Sequence, residues 1–480
     1  MALAPDADPA QVHDMARQSL AVVERYFAEM STAPIIQSPT AADVRAAFAE
    51  PLPRHATPFP EALATVRDVI YPLSRHDGHP RFFGYVASPG SAVATMGDLL
   101  AAALNANVTS WRSAPAPAEI EHLVIDWIKT AIGFPASGAG QLVSGGSMAN
   151  FSGLAAARSA KAPDFTRTGD FGPRKPRLYI SREGHFSNHK AARLLGYGVE
   201  NVRTVAVDAR FRMDLRDLER QIRADAAAGY APACVVANAG ATSTGAIDPL
   251  VGVADIARRY GMWMHVDGAY GGFARLAPSA REKLAGIELA DSVSLDPHKW
   301  LYATMGCGCV LYRDPAVARA TFAYDADYTR PIGLEHDEAF VFWDFGPELS
   351  RPFRALTVWL QFKVHGADAL AAAMERNMAC ARRLAQLVEE SPDMELLAPV
   401  ELSVVCFRHR PKGFAGDLDA FNERLLVGLQ RGGGSYLSNT RVAGAFALRA
   451  CVLNYRTTES DIDRLMEDVR AAGARVSSTI

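Results

Sequence analysis

The chain has 480 residues, 49% of them hydrophobic and 21% charged, with a net charge of −3. That length predicts about three structural units, and the balance excludes a disordered chain, a coiled coil and a short disulfide scaffold. A near-neutral chain has no overall field for a polyanion, no apolar run approaches the ~18 residues of a membrane span, and the acidic start MALAPDADPAQ lacks a basic leader. Nucleic acid, membrane and secretion are therefore not expected, and the expected compartment is cytoplasmic.

Taken in chain order, residues 10–30 carry Val12, Met15, Leu20, Val23, Phe27 and Met30 at helical spacing. Residues 42–50 and 61–73 are shorter amphipathic helices bounded by proline. Residues 1–90 are too few to build a core of their own, so they are expected to form a layer against something else, a second subunit included. From about 91 to 362 the pattern changes. Short β-branched or apolar runs (GQLVSGG, PRLYISR, VRTVAV, ACVVANAG, WMHVDG, DSVSLD, CGCVLYR) alternate with helical stretches. Strands spaced by helices predict an α/β domain around a mostly parallel sheet covered on both faces. Residues 363–480 follow with a helix, two strands and a final helix, an α+β pattern that predicts a smaller domain.

The six cysteines lie in apolar stretches and are expected to be buried free thiols. Cys307-Gly-Cys309 lacks the spacer of a zinc pair and no second pair faces it, so no metal is expected. Of the 50 basic residues only eight are lysine. Surface arginine has replaced surface lysine, which makes any lysine in an unusual setting conspicuous.

In an open α/β sheet, ligands bind beyond the carboxyl ends of the strands. After QLVS comes Gly145-Gly146-Ser147, small residues opening a helix and offering backbone N–H groups to an anion. His185 follows LYIS, Thr242 follows CVVAN, Asp267 follows WMHV, and Asp296-Pro297-His298-Lys299 follows DSVSL. An anion cradle, a histidine, a carboxylate and a lysine thus gather at one sheet edge. A pyridine cofactor bearing a phosphate and an aldehyde needs this set: lysine for the imine, an acid to keep the ring nitrogen protonated, a helix start for the phosphate and a flat side chain over the ring.

Over residues 12 to 470 the chain resembles the group II pyridoxal-phosphate-dependent amino acid decarboxylases, in particular the aromatic-L-amino-acid decarboxylase branch. The motifs that carry the resemblance are HPRFFGY, SWRSAPAPAEIEHLVIDW, GGSMAN, HVDGAYGG, DPHKW, ELSRPFRAL and ALRACVLNYRT. The resemblance implies the type I fold of pyridoxal-phosphate-dependent transferases, with a seven-stranded large-domain sheet, and a homodimer with active sites at the subunit interface. It also implies pyridoxal 5'-phosphate as cofactor and an L-amino acid, aromatic for preference, as substrate.

The resemblance further implies individual roles. Lys299 would be the imine-forming lysine, Asp267 the partner of the pyridine nitrogen and His185 the residue stacked on the ring. Ala269 would pack beneath the ring. Gly146, Ser147 and His298 would hold the phosphate with Asp296 nearby, and Thr242 would join the network around Asp267 and His185. Tyr85 with Val86 to Ser88 would line the substrate side, and Arg449 would place the substrate carboxylate. Two departures stand out. Val86 and Thr109 occupy positions that are usually bulky in the aromatic branch, which widens the expected pocket. Phe342 aligns with the mobile-loop tyrosine that protonates the α-carbon, while Tyr324 and Tyr328 lie upstream. Phenylalanine cannot donate a proton, so the alternative reaction is decarboxylation-dependent oxidative deamination, an aldehyde synthase using O2 and releasing aldehyde, ammonia and H2O2.

Overall fold

A computed structural model describes residues 7–324 and 340–478. Twelve strands form two sheets. The larger is built from β2 (Ala139–Val143), β3 (Pro176–Ser181), β4 (Val202–Val205), β5 (Ala231–Asn238), β6 (Trp263–Asp267), β7 (Ser292–Leu295) and β8 (Gly308–Tyr312). Their order is β2-β8-β7-β6-β5-β3-β4. Only β8 runs against its neighbours; the remaining pairings are parallel. The seven-stranded, mostly parallel sheet expected from the sequence is therefore present. Helices cover both faces, and β3, β6, β7 and β8 are buried along their whole length, polar residues included.

The smaller sheet has the order β1-β11-β12-β10-β9. It comprises β9 (Met394–Leu396), β10 (Val404–His409), β11 (Tyr436–Val442), β12 (Ala445–Cys451) and, at its edge, β1 (Phe82–Phe83). β1 pairs parallel with β11, through Phe82 with Tyr436 and Phe83 with Leu437. The segment before it is tied to the same domain: the Asn454 amide donates to the carbonyls of Gly78 and His79, and the Thr457 hydroxyl to that of Pro80. The end of the N-terminal layer thus belongs structurally to the small domain, and the first helix reaches that domain through Phe27, whose ring centroid lies 5.7 Å from the Arg456 guanidinium. The helix Pro9–Glu29 buries only Val22. The expected boundary at 362/363 falls inside the helix Ala355–Glu389, whose internal break is at Gly366.

All six cysteines are buried and unpaired, as expected. Among the described residues no helix is long and apolar enough to cross a membrane.

Candidate active site

The carboxyl ends of β2, β3, β5, β6 and β7 converge on a cavity of about 300 Å³. Gly145 leaves β2 with φ 152°, a left-handed value that a side chain would resist, and turns the chain into the helix Gly146–Lys161. The free N–H groups of that 16-residue helix open onto the cavity. A Cβ on Gly146 would lie 2.7 Å from Asp296 Oδ2 and 3.0 Å from the Cβ of Ala269, so the cradle admits no larger residue there. Ser147, Thr242 and Ala269 line the same space.

Asp267 ends β6 and is buried. Its Oδ2 accepts from the amides of Asn150 at 2.9 Å and Asn188 at 2.8 Å. Its Oδ1 accepts from the Ala269 N–H at 3.2 Å and the Ser294 hydroxyl at 3.3 Å. Burial pushes this carboxyl up, but His265, the Asn188 amide, His185 and Lys299 outweigh it and hold its pKa below the ordinary carboxylate value. Asp267 therefore carries its charge at neutral pH.

His185 caps the helix Phe186–Leu194. Its Nδ1 lies 2.7 Å from Ser187 Oγ, and the Ser187 N–H donates to it at 3.3 Å. Ser187 Oγ itself accepts from the Asn150 amide, so the hydroxyl hydrogen turns to His185 Nδ1 and the ring proton is left on Nε2. Burial lowers the His185 pKa, with the charge of Lys299 adding to this and Asp267 opposing it.

Lys299 follows β7, and its Nζ lies 2.9 Å from Asp296 Oδ2. His298 Nδ1 donates to the Cys307 carbonyl at 2.7 Å, which directs Nε2 towards Asp296 at 3.8 Å. The Ser88 hydroxyl donates to the backbone carbonyls of His298 and Lys299, bracing the turn that presents them. Ser88 thus acts behind Lys299 and does not line the cavity.

The residues fit a phosphorylated pyridine aldehyde. One buried wall atom, Asp296 Oδ1, has no hydrogen-bond partner, and amine, carboxylate, imidazole and helix N-terminus all face one volume. All nine residues expected on the cofactor side line this cavity.

The substrate-side expectations fare differently. Tyr85 is 51% exposed with φ 55° and lies beside Arg75, outside the cavity. Val86 packs partly buried against the large-domain core. Thr109 offers its carbonyl to the Phe342 N–H at 2.9 Å. Arg449 is committed to backbone: Nε donates to the Thr242 and Ser243 carbonyls and Nη1 to the Tyr85 carbonyl, all within 3.2 Å, while Nη2 is buried without a partner. None of the four lines the cavity.

Phe342 requires the clearest correction. It lies in a short 3-10 helix, Phe342–Phe345, and its ring is 0% exposed. The ring stacks on His122 at 5.0 Å, with the Arg351 guanidinium 4.4 Å from its centroid. The apolar run FVFWDF buries this side chain in its own protomer, facing neither the cavity nor a partner. Tyr324 is 84% exposed; Tyr328 lies outside the described residues.

The residues that the sequence reading missed are Asn150, Ser187, Asn188 and Ser294, which orient Asp267 and His185. Asn150 sits inside the motif GGSMAN and Ser187 two residues after His185, and the only signal in the sequence is a polar side chain among small residues at a helix start.

Residues 42–410 match the pyridoxal-dependent decarboxylase conserved domain. The chain is 31% identical over 469 residues to the aromatic-L-amino-acid decarboxylase of Bacillus atrophaeus, covering 97% of this chain and 96% of that one. The crystal structure of Oryza sativa TDC with PLP and tryptamine superimposes with a TM-score of 0.93 at 28% identity, covering 98% of this chain and 99% of the other. Rhodiola rosea 4-hydroxyphenylacetaldehyde synthase superimposes with a TM-score of 0.89 at 27% identity, over 98% and 99% of the two chains.

Proposed function

The chain belongs to the pyridoxal-dependent decarboxylase family, and from that premise we propose that its cavity removes the α-carboxylate of an aromatic L-amino acid as CO2 and releases the amine. The enzyme is a pyridoxal 5'-phosphate-dependent amino acid decarboxylase. The observation that carries the residue-level reading is the convergence of a lysine amine, a charged carboxylate and an imidazole on one cavity.

When bound, pyridoxal 5'-phosphate supplies an aldehyde that bonds an amine and a ring that draws in the electron pair left by departing CO2. Lys299 provides the amine that would anchor it, and Asp296 Oδ2 holds that amine in place from 2.9 Å. Asp267, oriented by its four donors, would hold a proton on the ring nitrogen. Gly146, Ser147 and the helix N-terminus take the phosphate, with His298 beside them. Ala269 keeps the floor low, and Thr242 closes the wall near His185. His185, on the cavity wall, would cover the ring, and its Nε2–H is the proton it would offer to the reacting carbon. Arg449 acts as a positioning residue, clamping the Thr242 turn to the small domain.

A homodimer completes the reading. The nearly unburied helix Pro9–Glu29 and the exposed Phe186 and Met305, at 70% and 71%, are apolar surface that a second subunit would cover. Residues 1–90 are proposed as the dimerisation layer, 91–362 as the cofactor domain and 363–480 as the small domain. Six unpaired thiols support a reducing, cytoplasmic compartment.

The test is a panel of L-amino acids scored for CO2, amine, aldehyde and peroxide. Amine formed in step with CO2 from aromatic substrates, lost in Lys299→Ala, supports the reading. One peroxide per CO2 with aldehyde as product would replace it with the oxidative alternative, and a purified protein that binds no cofactor would end it.

A further inference from the structure

Behind Asp267 lies a chain of buried polar side chains of which only the last, Asn150, lines the cavity and enters the account above. Trp263, His265 and Ser292 lie on the adjacent strands β6 and β7, and Asn150 on the covering helix. All four are buried, His265 and Ser292 completely. The Trp263 indole N–H donates to Ser292 Oγ at 2.9 Å. Ser292 Oγ lies 2.8 Å from His265 Nδ1, and His265 Nε2 lies 2.9 Å from Asn150 Oδ1. The Asn150 amide nitrogen then donates both to Asp267 Oδ2 and to Ser187 Oγ.

Donor and acceptor roles settle the direction. An indole can only donate, so Ser292 accepts from it, and Asn150, whose NH2 faces Asp267 and Ser187, offers only its oxygen to His265 Nε2, which leaves Nδ1 to accept the Ser292 hydroxyl hydrogen. The ring proton then sits on Nε2 and donates to Asn150 Oδ1. That contact holds the amide in the one orientation that points its NH2 at the carboxylate. Burial lowers the His265 pKa to about 4, so the ring is neutral at physiological pH and this tautomer is the populated form.

The covering helix is cut to fit. A Cβ on Gly153 would lie 2.6 Å from both Cε1 and Nδ1 of His265. A mid-helix glycine is less favourable than alanine, and here it leaves the space that the imidazole occupies.

We propose that His265 is a positioning residue for the cofactor: it fixes the Asn150 amide so that Asp267 stays charged and aimed at the ring nitrogen. The inference rests on the assignment of Asp267 to that nitrogen. Its test is the holoenzyme loaded with pyridoxal phosphate labelled with 15N in the ring, whose resonance reports protonation of that nitrogen. His265→Phe leaves Asn150 Oδ1 without its donor, so the amide is free to turn away from the carboxylate. The expected result is a resonance moved towards the unprotonated position and cofactor affinity weakened by roughly tenfold. Asn150→Leu should move the resonance the same way. His265→Gln, which keeps an N–H near the place of Nε2, should restore most of the wild-type resonance. Gly153→Ala leaves the histidine present but pushes it from its seat, so it should reproduce the shift, and it carries the test should His265→Phe fail to fold. Wild-type resonance and affinity in His265→Phe, or in Gly153→Ala where that variant must stand in, would overturn the proposal alone. A wild-type protein that binds no cofactor would overturn it together with the functional reading.

Discussion

His185 and Lys299 act as they do because of what touches them. A neutral imidazole whose Nδ1 is engaged by Ser187 keeps its single N–H on Nε2. His185→Gln keeps a polar group but loses proton transfer, so kcat should fall by about 10²–10⁴ while the cofactor remains bound. Turnover and cofactor titration on the same preparation check this; an unchanged kcat would remove His185 from the chemistry. These residues were legible in the sequence because each follows a strand run, and strand ends are where an open α/β sheet puts its ligands. Asn150 and Asn188 were not, because an asparagine inside a helix reads as surface until burial and the facing carboxylate are known. Arg449 misled for a related reason: which carbonyls a guanidinium finds across two domains is a long-range fact that local pattern does not contain.

The supporting elements meet at one buried ion pair. Arg351, ahead of the long helix Ala355–Glu389, donates to Glu121 on the helix Pro115–Ile132 and to the carbonyls of Val108 and Leu142. Glu121 also accepts from the Leu142 N–H on β2, the strand that delivers Gly145 to the cavity. Removing one partner leaves a buried charge uncompensated, and Arg351→Ala should cost about 3–5 kcal/mol in urea unfolding. The double variant Glu121→Leu with Arg351→Met should recover much of that loss; failure to do so would show that the backbone contacts of Arg351 dominate. The alternation of strand and helix made these elements readable. The placement of FVFWDF was not, since an aromatic run before a helix suits a mobile loop and a buried plug equally well, and only the space beside His122 decides between them.

For the molecule as a whole, two measurements test the assembly and its response to acid. Sedimentation should give twice the 51.7 kDa chain mass. Deleting residues 1–29 should yield a monomer without activity, because the helix Pro9–Glu29 contributes almost nothing to its own protomer's core. An active monomer would reject the dimer. His265 and His79 both have pKa values lowered by burial from 6.5 to about 4. The unfolded chain takes up these protons first, so their contribution to stability is complete above pH 6.5 and is lost as pH falls towards 4. For His265 the loss should approach roughly 3 kcal/mol. The urea midpoint of the cofactor-free protein should therefore fall across that window, and less steeply in His265→Gln.

The two-residue strand β1 has a further consequence for how the chain is made. Phe82 and Phe83 leave the ribosome some 350 residues before Tyr436 and Leu437, the partners they pair with. Until then they have no sheet to join, and β11, once made, has a bare edge until they arrive. Such pairing raises contact order and slows folding. A small domain expressed alone from residue 367 would keep that edge permanently open, an invitation to intermolecular pairing. Supplying a peptide of residues 76–90 in trans should suppress its aggregation, which light scattering during refolding would record.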